Sequence, residues 1–130
     1  MSTILDQMAT TSSTSIPTTN ETAIAETPVL YSGESSPVYI GGSFRLTPGT
    51  AATTVTVRVR LGTGTSGTAI YTSPAMTVAA NDPISIAIDT LDSSQAINTP
   101  NGTAYTITVQ QASATGNGSV TDSYFRVEQQ

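Results

Sequence analysis

Residues 54–61 read TVTVRVRL, and this stretch decides the fold class. Valine or leucine stands at every second position from 55 to 61, and threonine or arginine stands at the positions between. Successive side chains of a β-strand point to opposite faces, so a period of two predicts a strand with one face buried and the other in water. We therefore predict a half-buried strand here, the clearest one in the chain.

The same kind of pattern recurs on both sides of this stretch. Segments rich in Gly, Pro and Asn separate the strand-like runs at intervals of roughly 8–12 residues, which is typical of β-sandwiches. The prediction is an all-β chain that forms a single sandwich of roughly seven or eight strands, either jelly-roll or immunoglobulin-like in strand order. The other runs lie at 38–47, 69–72, 75–79, 84–88, 105–110 and 119–128.

Residues 1–28 differ from the rest because Ser and Thr dominate and no hydrophobic period persists. We interpret them as an extended N-terminal arm and residues 29–130 as the sandwich domain. Thr3 and Asp6 have the spacing of a capping box, which predicts a short helical turn at the tip of the arm. The apolar residues of the arm are its predicted partner contacts: Ile4, Leu5, Met8, Ile16 and Ile24.

Composition excludes several classes of function. The 130 residues include no Cys, His, Trp or Lys, so the chain lacks a thiolate nucleophile, an imidazole base and an amine for Schiff-base chemistry. Nine acidic residues against four arginines give a net charge of -5, which repels a phosphate backbone. The apolar runs are too short to span a membrane, and the start MSTILDQMATTSS lacks the features of a secretory signal. We therefore predict that the chain is not an enzyme and that it binds neither nucleic acid nor a membrane.

No cofactor is predicted. The one ion considered is calcium, whose binding is weighed against the formation of turns at the same aspartates. Asp82, Asp89 and Asp92 flank turns, and carboxylate oxygens on loops are the ligands that Ca²⁺ prefers. Asp and Asn also favour turns for backbone reasons alone, and that interpretation is preferred here.

Arg45, Arg58 and Arg60 form a second candidate contact. A hairpin of residues 38–47 and 54–61 would carry all three on its polar face. Such a face either lies in solvent, with the arginine stems covering the sheet, or binds acidic residues of a neighbouring subunit bidentately.

The arm from Met1 to Pro28, followed by the strand region, resembles small virion structural proteins of bacterial or archaeal viruses, namely decoration (cement), spike and minor capsid proteins. The resemblance implies a virion-surface protein that forms homo-oligomers, with trimers favoured, and whose arm grips the capsid or a neighbouring structural subunit. One alternative is an extracellular, pilus-like filament subunit joined by donation of the N-terminal strand. Another is a carbohydrate-binding or adhesin module that uses tyrosines as its binding platform.

Overall fold

The computed structural model describes residues 3–17, 19–112 and 116–130, and across them it confirms the predicted all-β sandwich. One short 3-10 helix, Ala96–Asn98, interrupts the strands. Within the described ranges none of the helical structure is long and apolar enough to cross a membrane. The strands are β1 (Thr3–Thr10), β2 (Thr14–Ile16), β3 (Thr22–Glu26), β4 (Val38–Thr47), β5 (Thr53–Leu61), β6 (Ala69–Thr72), β7 (Met76–Val78), β8 (Ile84–Asp92), β9 (Tyr105–Gln111) and β10 (Gly118–Gln129).

The strands form two antiparallel sheets. In the first sheet, β10 lies between β4 and the pair β1 and β2, and β8 lies on the far side of β4. In the second sheet, β9 lies between β3 and β5, and β6 and β7 both pair with the other side of β5.

The order of pairing identifies the jelly roll. If β1 with β2, and β6 with β7, are each taken as one interrupted strand, the first strand pairs with the eighth, the second with the seventh, the third with the sixth and the fourth with the fifth. Such nesting is a long hairpin wound into two facing sheets, the jelly-roll arrangement. Of the two strand orders left open by the sequence, the chain adopts this one.

The core lies between the two sheets and follows the predicted alternation. Val55, Val57 and Val59 of β5 are fully buried, whereas Arg58 and Arg60 point outward from the second sheet. The rings of Phe44 in β4 and Phe125 in β10 lie 6.0 Å apart between their centroids.

Strand β10 contains a β-bulge at Asp122. The residue has a φ of 52°, and the register with β4 shifts between Thr121 and Tyr124. Beside the bulge, a Cβ on Gly42 would overlap the carbonyl oxygen of Tyr124 and the ring of Phe125. Gly42 is therefore a site of close backbone approach, where a side chain would not fit.

The predicted helical tip is wrong, because Thr3–Thr10 is a strand paired with β10. A single helical turn forms one or two hydrogen bonds at a high entropic cost, whereas the edge of β10 offers a ladder over most of its length. The division into an arm of residues 1–28 and a sandwich of 29–130 stays a prediction about how the N-terminal segment behaves.

Candidate interaction surface

The N-terminal segment runs along the edge of the first sheet and then crosses to the second. Thr3 pairs with Gln129 and Thr10 with Ser123, and β2 continues the line until Ile16 pairs with Gly118. The chain then crosses the end of the sandwich, and β3 pairs with β9 at the edge of the second sheet. The segment thus provides one edge strand to each sheet.

The predicted arm contacts differ widely in exposure. Ile16 is fully buried in the core, and Leu5, Met8 and Ile24 pack partly buried against it. Ile4 is 53% exposed and faces outward. In the described structure, four of the five residues therefore contact the sandwich of their own chain.

Glu21 fastens the crossing segment to the outer face of the second sheet. Arg60 donates hydrogen bonds from Nε and Nη2 to the two carboxylate oxygens of Glu21, at 2.5 and 2.8 Å. Arg58 Nη1 lies 3.4 Å from the same carboxylate, and Thr108 donates from Oγ1 at 2.7 Å. We call Glu21, Arg58, Arg60 and Thr108 the Glu21 clamp.

Further hydrogen bonds hold the arginines of the clamp in place. Arg58 also donates from Nη1 to Gln110 at 2.8 Å, and Gln110 in turn donates to the backbone oxygen of Thr19 at 3.0 Å. Arg60 donates from Nη1 to the carbonyl oxygen of Gly67 at 2.7 Å. Arg60 is thus oriented by a backbone oxygen outside the segment, whereas Gln110 links Arg58 to the segment a second time.

The clamp is largely shielded from water. The side chains of Glu21, Arg60 and Arg58 are 13%, 18% and 22% exposed. The hydrogen bond from Arg60 holds the pKa of Glu21 below its ordinary value of 4.5, against the opposing effect of burial, and the same bond raises the pKa of Arg60. The arrangement is a bidentate charge pair, the geometry of one of the two alternatives that the sequence left open for these arginines. Here the acid belongs to the N-terminal segment of the same chain.

Arg45 does not join this cluster, and the expected hairpin of residues 38–47 and 54–61 is wrong. β4 lies in the first sheet and β5 in the second, because the connection between them crosses the sandwich. Arg45 is exposed on the outer face of the first sheet, opposite Ser85 of β8 and Thr121 of β10. The three arginines thus occupy two opposite faces of the molecule.

The three aspartates considered for calcium are not brought together. Asp82 is exposed in the turn before β8, Asp89 points outward from β8, and Asp92 is 1% exposed on the inner face. Asp92 instead accepts hydrogen bonds from Tyr105 Oη at 2.6 Å and Ser94 Oγ at 2.5 Å, and burial together with the bond to Asp92 raises the pKa of Tyr105. Across the described ranges, no group of acidic residues is arranged to hold a metal ion.

A shallow depression marks the outer face of the first sheet. Gly41 forms its floor, because a residue without a side chain stands between Asp89 and Arg126 in the same row. Tyr39 and Glu128 line one side, and Glu128 pairs with Arg126 at 3.1 Å. Tyr39 is therefore the tyrosine to test if the carbohydrate-binding alternative is pursued.

Glu21 is the functional residue that the sequence did not single out. Its pairing with Arg58 and Arg60 joins positions 37 and 39 residues apart. The sequence offered only a weak signal for this pairing. Two arginines on one strand face indicate that an acidic residue lies nearby, but Glu21 is one of nine acidic candidates.

Comparison with known proteins shows that this chain resembles some of them in fold only. No family model and no curated protein matches the chain. Solved structures from infectious bursal disease virus match the chain in fold. They include a derived T=1 particle (TM-score 0.67, 9% identity), the T13 viral particle (0.66, 10%) and the VP2 subviral particle (0.64, 11%). Each match covers 98% of this chain but 31%, 31% and 32% of the other chain, so this chain spans about a third of the length of the chains it matches. The chain thus shares its sandwich fold with a viral shell protein at very low identity.

Proposed function

We propose that the chain is a non-enzymatic structural subunit of a virion, of the decoration, spike or minor capsid type, which oligomerises and docks through its N-terminal segment. The observation that carries the proposal is the position of β1, β2 and β3, which lie only at edges of the two sheets. An edge strand can be exchanged between identical subunits with little change in the contacts it makes.

The remaining strands keep their partners when the segment is exchanged. β10, β4 and β8 remain paired in the first sheet, and β9, β5, β6 and β7 remain paired in the second. The segment from another subunit would pair with β10 and place its Glu21 against Arg58 and Arg60, as the chain's own segment does. Once one contact has joined two subunits, each further contact between them is effectively intramolecular. This favours a closed trimer or a firm attachment to a capsid.

The jelly roll shared with particle proteins of infectious bursal disease virus supports a role in a viral shell. The composition supports a role without catalysis, since the absence of Cys, His and Lys removes the thiolate, the imidazole and the amine from the available catalytic groups. The bacterial or archaeal host stays a prediction, because the matched particles are those of infectious bursal disease virus.

A cysteine pair tests whether the segment lies on its own chain or on a neighbour. Ala9 and Tyr124 face each other between β1 and β10, and the chain has no native cysteine. Opposite residues of an antiparallel pair lie within the range of a disulfide. In Ala9→Cys with Tyr124→Cys, oxidation of the assembled protein should give covalent multimers on a non-reducing denaturing gel.

The matched control is Thr47→Cys with Ser119→Cys, a pair that joins β4 to β10 within the sandwich. It should give only an internally linked monomer. If the Ala9 and Tyr124 variant also gives only monomer in protein that is oligomeric before oxidation, docking by the N-terminal segment is wrong.

The alternatives predict other outcomes of the same experiment. A filament subunit would give an unbounded ladder of linked chains, whereas a closed assembly gives one largest species. A carbohydrate-binding module would leave the oxidised protein monomeric and would show calorimetric heats with oligosaccharides that Tyr39→Ala abolishes.

A further inference from the structure

The four edges of the two sheets are not equally protected against pairing with another strand. The register of β1 shifts next to Leu5, and that of β3 shifts between Ala23 and Ala25. The edge of β6 and β7 is split into strands of four and three residues. Bulges and short edge strands are the devices that keep folded proteins from joining edge to edge.

The edge formed by β8 has no bulge and is not divided into short strands. It is nine residues long, and its register with β4 runs without a shift from Ile84 opposite Leu46 to Asp92 opposite Val38. No strand of the described structure pairs with its other side. In an antiparallel strand, every second residue directs its backbone N–H and C=O away from the existing partner. β8 therefore presents a straight row of backbone donors and acceptors to solvent.

We propose that β8 pairs with β8 of a second copy of this chain, antiparallel, about a two-fold axis at Ala87. The pairing would join the first sheets of two molecules into one continuous sheet. It is a contact between identical surfaces, so it closes as a dimer.

The side chains of β8 suit this register. Ile86 would face Ile88 of the second copy on the inner side, and these residues retain 5% and 6% exposure at the edge of the core. On the outer side Ala87 would face its own equivalent across the axis, where a small side chain permits close approach. Leu91, which is 44% exposed, would lie beside Pro83 of the second copy.

Charge complementarity selects this register among the possible ones. Ser85 would face Asp89 of the second copy, and Ser85 already lies opposite Arg45 of β4. Strands are about 4.8 Å apart, so the two charged residues would lie about 10 Å apart at Cβ with only a serine between them. An arginine and an aspartate side chain can span that distance. Arg45 and Asp89 are both exposed, and neither makes an ion pair within the described residues.

Other registers lose this pairing. A shift of two residues in one direction places Asp89 opposite Ala87, and a shift of four places it opposite its own equivalent, where like charges repel. The register about Ala87 is the one that gives both charged groups a partner. The dimer contact does not depend on the N-terminal segment, which lies on the opposite edge of the first sheet.

A cysteine scan of full-length protein tests both the contact and its register. Ala87→Cys should form a covalent dimer on oxidation, because the two thiols face each other across the axis. Ser85→Cys is the matched control on the same edge: the two copies of residue 85 would be about 14 Å apart along the strand, beyond the reach of a disulfide. If Ser85→Cys links as readily as Ala87→Cys, or if neither links, the proposal is wrong.

Charge reversal provides a second, independent test by sedimentation equilibrium. Arg45→Glu and Asp89→Arg should each raise the dissociation constant of the dimer by about tenfold or more, and the two together should restore it. Ala9→Glu adds a negative charge at an exposed position of β1, on the opposite edge of the same sheet, and should leave the constant unchanged. A double variant that stays as dissociated as the single ones would overturn the assigned pairing, as would a wild-type chain that never dimerises.

Discussion

At the scale of single residues, Glu21 is the charged side chain that holds the crossing segment to the second sheet. Glu21→Gln keeps the shape of the side chain but removes the charge that two arginines share. We expect a loss of about 1–2 kcal/mol in the free energy of unfolding at neutral pH, measured by urea denaturation. Glu34→Gln is the matched control, because Glu34 is exposed and its carboxylate has no hydrogen bond within the described part of the chain.

The same residue makes stability depend on acid. The folded protein holds the pKa of Glu21 below its ordinary value of 4.5, so folding favours the ionised form. The contribution is complete above that ordinary value and is lost as the pH falls through the lowered pKa. The difference in stability between the wild type and Glu21→Gln should therefore shrink as the pH falls below about 4.5. A difference that stays constant down to pH 3 would show that the clamp does not act through the charge.

At the scale of elements, β2 is a three-residue strand that stabilises the fold mainly through one side chain. Ile16 is fully buried between the sheets, so Ile16→Ala should lower the free energy of unfolding by about 2–5 kcal/mol. Ile4→Ala, in β1 of the same segment, should change it by less than about 0.5 kcal/mol, because Ile4 is 53% exposed. Equal effects of the two substitutions would mean that the segment does not bury Ile16 in solution.

The strands from β4 to β10 were all predicted, and a strong period of two made some of them especially clear. β4, β5 and β9 each bury alternate apolar residues, and these residues stand out in the sequence because one face must be dry. β1, β2 and β3 were not predicted, since edge strands need few apolar residues and their Ser and Thr resemble those of a disordered tail. The apolar residues of the segment were identified as contacts, but their partner in the structure is the chain's own sandwich.

At the scale of the whole molecule, the strand order is the part that the sequence could not supply. Nested pairing joins residues that are far apart, as in Thr3 with Gln129, and alternation within one strand says nothing about its neighbours. For the same reason the sequence placed Arg45 with Arg58 and Arg60, although the connection between β4 and β5 crosses from one sheet to the other.

The proposed contacts would act together in an assembly. Exchange of N-terminal segments would link subunits on one edge of the first sheet, and pairing of β8 would link them on the other. An exchange of segments about a threefold axis and a β8 contact about a twofold axis can combine in one closed assembly of a few subunits.

The central claim is that this chain works by associating with copies of itself. The most direct test is the molar mass of the full-length protein, measured by light scattering after size-exclusion chromatography over a range of concentrations. We expect a discrete species of a few subunits whose mass stops rising at high concentration. A protein that remains monomeric at every concentration would contradict this claim.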